Sequence, residues 1–198
     1  MRRAALRFTG PGEAEIRNAL LAADNEIRGE DFTPLPPGFN HPVDFDAVAE
    51  LHRRTRVNVY AGGRSLEVVL LVEDAPGSVL SFIELAEIGF YDGLDFHRVV
   101  PGFVTQGGCP VGDGYHSVEY SLRSEFSPLQ FGPGAVGLAS AGPDTEGSQF
   151  FITHTVTPRL DGRYTVIGAV TKGFDMLADL PTGALIDSVR VVRPAIGS

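Results

Sequence analysis

The segment that decides the fold is Phe96-His97-Arg98-Val99-Val100-Pro101-Gly102-Phe103-Val104-Thr105-Gln106-Gly107-Gly108. It reads as a strand over 96–100, a bend at Pro101-Gly102 and a second strand over 103–106. One arginine and one glutamine stand among apolar residues. A second such region lies downstream, where Gly137-Leu138-Ala139-Ser140-Ala141-Gly142-Pro143 leads to Gly147-Ser148-Gln149-Phe150-Phe151-Ile152. On the residues alone, both are hairpins with exposed Arg and Gln and core Phe.

Outward from these segments the chain is rich in turns. Val57–Tyr60 and Leu66–Val72 flank Gly62-Gly63, a dipeptide suited to the positive φ of a tight hairpin turn. A helix is predicted over 78–88, with Val79, Phe82, Ile83 and Ala86 on one face and Gly89 as its stop. Further strands are predicted at 134–139, 149–153, 164–170 and 186–192, and a short helix over 174–180. Asp92-Gly93, Asp113-Gly114, Asp161-Gly162 and Pro181-Thr182-Gly183 supply the turns between elements. Eight strands and two helices in this span suggest a mainly β domain, a barrel or a sandwich.

Residues 1–54 read differently. Ile16, Leu20, Ala23 and Ile27 form a helical stripe over 13–28, with Gly29 as the stop. Thr33-Pro34-Leu35-Pro36-Pro37-Gly38 reads as a linker, and a short helix over 45–52 takes Asp44 as its cap. The division is therefore 1–54, a helical N-terminal extension and Pro-rich linker, and 55–198, the β-rich domain.

Composition narrows the function. The 198 residues hold 16 Lys+Arg against 25 Asp+Glu, a net charge of −9, which argues against nucleic acid or a membrane surface as partner. No apolar window reaches the length of a membrane span. A single cysteine, Cys109, excludes an intrachain disulfide and a cysteine-based zinc site, and reads as a bystander thiol. The five histidines show no metal-ligand spacing, and neither a nucleophile elbow nor a phosphate-binding glycine loop is present. The basic N-terminus lacks the apolar stretch of a secretory signal, so the sequence as written is expected to be cytoplasmic, or extracytoplasmic if it is cut from a longer chain.

Three strings, FHRVVPGFVTQGG at 96–108, GLASAGPDTEGSQFFIT at 137–153 and LDGRYTVIG at 160–168, resemble the cyclophilins in order and spacing. The resemblance spans about residues 55–192. It looks closest to bacterial members whose domain follows helical repeats; the helix at 13–28 would be the last piece of such a region. The resemblance implies a closed eight-stranded antiparallel barrel capped by two helices, with its site in an outer groove. It implies a peptidyl-prolyl cis-trans isomerase acting on proline-containing polypeptides and assisting folding, as a monomer and without cofactor or metal.

The same resemblance implies roles. Arg98 matches the catalytic arginine, with Phe103 and Gln106 beside it. Val104, Phe151 and Leu160 match the proline pocket. Ala139, Ser140 and Ala141 lie where backbone pairs with the peptide, and Gln149 and Tyr164 complete the rim. Arg159 stands where well-known members carry tryptophan, so cyclosporin binding is expected to be weak. Ser140 replaces an asparagine and Val104 a larger methionine. Asp113 and Glu146, near a secondary pocket, lead to an expected preference for neutral or basic residues before the proline. Two other readings stay open on the sequence: a module that binds proline segments with incidental turnover, and a non-catalytic structural domain. Arg98 and Gln106 together favour the enzyme.

Overall fold

The structure, a computed structural model, describes residues 43–51 and 55–193. The expected helix at 13–28 and the Pro-rich linker lie outside the described residues.

The first elements follow from local chemistry. The Asp44 carboxylate accepts the amides of Asp46 and Ala47, both at 3.0 Å, and starts helix α1 (Phe45–Glu50). Strands β1 (Arg56–Ala61) and β2 (Arg64–Leu70) pair antiparallel around Gly62 and Gly63. Both glycines have positive φ, 57° and 74°, as the two-residue turn requires. Helix α2 (Pro76–Glu87) begins two residues earlier than predicted, with Pro at its first position. Its amides at Gly77 and Ser78 are capped by the Glu125 carboxylate, a partner 47–48 residues away. It ends at Gly89, where Phe90 N–H reaches the Leu85 carbonyl and Gly89 N–H that of Ala86.

The predicted strand 96–100 divides at His97. Asp95–Phe96 forms β3 and Arg98–Val100 forms β4, followed by β5 (Val104–Gly107). Strands β6 (Ala135–Leu138), β7 (Phe150–Thr153), β8 (Val166–Lys172), β9 (Ala184–Leu185) and β10 (Ser188–Val192) complete the set. The region predicted as a helix over 174–180 is a 3₁₀ turn, Phe174–Ala178.

One eight-stranded antiparallel sheet runs in the order β10-β1-β2-β8-β6-β7-β5-β4. The expected barrel closure is not found: β4 and β10 are the sheet's edges and do not pair with each other. The sheet is curled and open. The reason lies in the division at His97. β3 leaves the main sheet to pair with β9, and β4 is left only three residues long. Main-chain bonds from Gly93 to Ile186 and from Ile186 to Leu94 extend the β3–β9 ladder, and one from Asp187 to Tyr60 extends the β10–β1 pair.

Period-2 alternation gives the sheet two buried faces. Phe150, Ile152, Val136, Leu138 and Ile167 join Phe82 and Tyr91 in the main core. Their sequence neighbours Phe151, Ala135 and Val166 form a second cluster with Val104, Phe131 and Leu160. That smaller cluster is the floor of the site.

Candidate functional site

Strand pairing sets the site. Arg98 on β4 lies opposite Gln106 on β5, and Gln106 lies opposite Phe151 on β7. Arg98, Phe103, Val104, Gln106, Ala139, Ser140, Phe151, Leu160 and Tyr164 line one cavity of about 120 Å³. Nine of the residues singled out in the sequence are thus brought together. Ala141 lines an adjoining groove of about 650 Å³, which shares Phe103, Ser140, Leu160 and Tyr164 with the cavity.

Gln149 does not line either depression. It is 7% exposed and sits behind Gln106. Its Nε2 donates to the carbonyls of His116 at 2.8 Å and Gly114 at 3.1 Å. Those carbonyls cannot donate, so the Gln149 oxygen must face the other way, where it accepts from Gln106 Nε2 at 2.9 Å. Gln106 is oriented in turn: its Oε1 faces Arg98 and accepts from Nη1 at 3.4 Å. A buried amide thereby aims an exposed guanidinium. Gln149 belongs to the support of the site and not to its rim.

The floor is aromatic. Phe151 stacks on Phe131 with ring centroids 5.4 Å apart and meets Tyr164 edge-on at 5.6 Å. Gly137, opposite Phe151 on β6, leaves room for this. A Cβ at 137 would lie 2.6 Å from Phe151 Cζ and 2.8 Å from Phe131 Cε1. Neither Phe131 nor the role of Gly137 emerges from reading the motifs. The available signal was a glycine inside a predicted strand, which marks a close approach. Phe103 stands at the junction of cavity and groove, with the Arg98 guanidinium 5.5 Å and the Arg159 guanidinium 4.1 Å from its ring centre.

Polar backbone is also on offer. Ala139 N–H is taken by the Gln149 carbonyl, and Ala141 N–H by Thr145 Oγ1 at 2.8 Å. The N–H and C=O of Ser140, between them, have no partner among the described residues.

Two expectations about charge need correction. Glu146 is fully buried and lines neither depression. Its carboxylate accepts from Ser124 Oγ at 2.8 and 2.9 Å and from Thr165 Oγ1 at 3.1 Å. Burial raises its pKa against the opposing effect of those bonds. Asp113 also stays out of cavity and groove, paired with His116 Nδ1 at 2.6 Å. Its pKa is lowered: burial pushes it up, but the Tyr115 amide, the Cys109 thiol and His116 outweigh that. Neither acid supplies the negative groove on which a preference for basic residues would rest. Buried Cys109 donates to Asp113 Oδ1 at 3.3 Å and accepts from Gly114 N–H, a role within the turn.

Comparisons with known proteins identify the family. Residues 56–196 match the family described as cyclophilin type peptidyl-prolyl cis-trans isomerase/CLD. Peptidyl-prolyl cis-trans isomerase B of Bacillus subtilis is 47% identical over 131 residues, 65% of this chain and 92% of that protein. A Helicobacter pylori peptidyl-prolyl cis-trans isomerase is 39% identical over 151 residues, covering 74% and 93%. A crystal structure of a Cryptosporidium parvum cyclophilin type peptidyl-prolyl cis-trans isomerase superposes with a TM-score of 0.67 at 28% identity, covering 71% of this chain and 98% of that one. A second structure of that protein, in the presence of the dipeptide Ala-Pro, gives a TM-score of 0.66, also at 28% identity, covering 70% and 99%.

Proposed function

The chain belongs to the cyclophilin-type peptidyl-prolyl cis-trans isomerases, and on that ground we propose how its residues divide the work. The reaction is rotation about the amide bond that precedes proline. It is slow because resonance gives that bond partial double-bond character. The protein has only to bind the twisted amide better than either planar form.

Proline sits in the cavity, its ring against Phe103, Val104, Phe151 and Leu160. The adjacent Arg98 donates to the proline nitrogen as its lone pair localises, or holds the neighbouring carbonyl. Gln106 keeps the guanidinium turned toward the bond, and Gln149 keeps Gln106. The peptide backbone pairs with Ala139, Ser140 and Ala141, and Tyr164 closes the rim. The single observation that carries this reading is the gathering of Arg98, Gln106 and an apolar, aromatic-floored cavity at one spot.

Magnitudes say that the arginine does not act alone. A charge-assisted hydrogen bond contributes about 1.5–3 kcal/mol. An acceleration of about 10⁴-fold needs about 5.5 kcal/mol. Desolvation and positioning of the proline ring in the cavity supply the remainder.

The test is exchange NMR on an Ala-Pro peptide with wild type beside Arg98→Ala and Arg98→Lys. A loss of at least tenfold in both, with the fold intact, is expected, because lysine lacks the planar fork that Gln106 orients. Full activity in Arg98→Ala would overturn the assignment.

Residues 55–198 are the catalytic unit and 1–54 an attached extension; the match beginning at 56 supports that boundary. Proline-containing polypeptides in the course of folding are the substrates. Cyclosporin binds weakly, because Arg159 and not an indole meets it at the groove; nanomolar inhibition on titration would refute this.

A further inference from the structure

The described residues include nine Lys and Arg side chains, and their partners divide by location. Arg56, Arg64, Lys172, Arg190 and Arg193 each reach a carboxylate, at 2.5–3.7 Å. Arg98 lines the cavity, and Arg159 and Arg163 line the groove; none of the three has a carboxylate partner among the described residues. The ninth, Arg123, is exposed, lines neither depression and also has no carboxylate partner among the described residues. In a chain with 25 acidic residues against 16 basic ones, three of the four cations without a carboxylate partner among the described residues lie at this cavity and groove.

The lining residues carry the same contrast. No Asp or Glu lines the cavity or the groove. Three other depressions on the surface each include at least one: Asp175 in the first, Asp179 and Asp187 in the second, Glu87 and Asp92 in the third. An overall acidic protein thus presents its open cationic face where a peptide would lie.

Arg159 is suited to recognition. Its guanidinium rests on Phe103 at 4.1 Å, which holds the plane while its N–H edge stays available to a carboxylate. Groove and cavity share Phe103, Ser140, Leu160 and Tyr164, so a residue flanking a proline seated in the cavity falls in the groove.

We propose that Arg159 and Arg163 make this isomerase select prolines that carry a carboxylate side chain within two residues. The proposal rests on the cavity being the proline site. It reverses the preference for neutral or basic flanks expected from Asp113 and Glu146. The net charge of −9 does not cancel it at working ionic strength: the Debye length is about 8 Å at 0.15 M salt, so distant acids are screened while a contacting guanidinium is not.

The experiment uses the full chain at 0.15 M salt and exchange NMR on four pairs of Ala-Pro peptides. Each pair places Glu or the isosteric Gln at one of the two positions before or the two positions after the proline; at the position directly before it, the Ala itself is replaced. Exposed charge pairs predict about a two- to fivefold higher catalytic efficiency for Glu in at least one pair. That ratio falls to one in Arg159→Gln/Arg163→Gln and persists in Arg159→Lys/Arg163→Lys, which keeps both charges. Equal rates for Glu and Gln in all four pairs, or a preference that survives in the double Gln variant, would overturn the proposal. Failure to accelerate any of the peptides would instead refute the assignment of the site as a proline isomerase.

Discussion

Gly137→Ala tests whether the aromatic floor is packed as described. Gly137 has no positive φ, so alanine is allowed by the backbone and the effect is steric. The new methyl would stand 2.6 Å from Phe151 Cζ and 2.8 Å from Phe131 Cε1. To reach ordinary van der Waals contact the Phe151 ring must retreat by about 0.8 Å. Phe131 backs the ring, so the open direction is the 120 Å³ cavity. Overpacking of this kind costs about 1–3 kcal/mol, offset by about 0.4–1 kcal/mol from the stiffer unfolded chain. A net loss of about 1–2 kcal/mol is expected, read from urea denaturation. Displacing the floor by close to 1 Å is expected to lower kcat/KM by about ten- to a hundredfold, read by exchange NMR on an Ala-Pro peptide. Adding Phe131→Leu makes room away from the cavity, so the double variant should lose less than the two single losses combined. Wild-type stability together with wild-type activity in Gly137→Ala would refute the account of the floor.

Other outcomes follow from the same contacts. Gln149→Leu strands the His116 and Gly114 carbonyls and frees Gln106 to turn; we expect a loss of about 2 kcal/mol in urea and a fall of about three- to tenfold in kcat/KM, and unchanged activity would show that the amide relay does not aim Arg98. Glu146 has its pKa raised by burial from the ordinary 4.5, so the folded state holds its proton longer than the unfolded chain and stability falls as pH rises above about 4.5. Denaturation curves against pH should lose that decline in Glu146→Gln. His154, lowered by burial from the ordinary 6.5, has the opposite sign: the unfolded chain takes up the proton first, so stability falls as pH drops below about 6.5, and His154→Gln should flatten that limb.

The amino-acid sequence by itself determined the local elements and pointed to the residues around the cavity. Gly62-Gly63 demanded a tight hairpin, the apolar stripe from Val79 to Ala86 with Gly89 behind it demanded a helix, and the strings at 96–108, 137–153 and 160–168 held the cavity residues. The hairpin and the helix are short-range matters of dihedral preference and alternation, legible without a partner in view; the cavity residues were legible only through the resemblance those strings bear to the cyclophilins. What depended on distant partners was legible only in three dimensions. The break at His97 that leaves the sheet open follows from β9 offering Asp95–Phe96 a ladder. Gln149 is buried behind Gln106 because the 114–116 carbonyls lie across from it. Gln149 was expected at the rim and Glu146 near a secondary pocket, yet both are buried. That Arg159 and Arg163 meet no carboxylate among the described residues is likewise a tertiary fact. Whether a charge meets its opposite depends on which segments the fold brings within about 4 Å, and residue type and spacing carry no record of that.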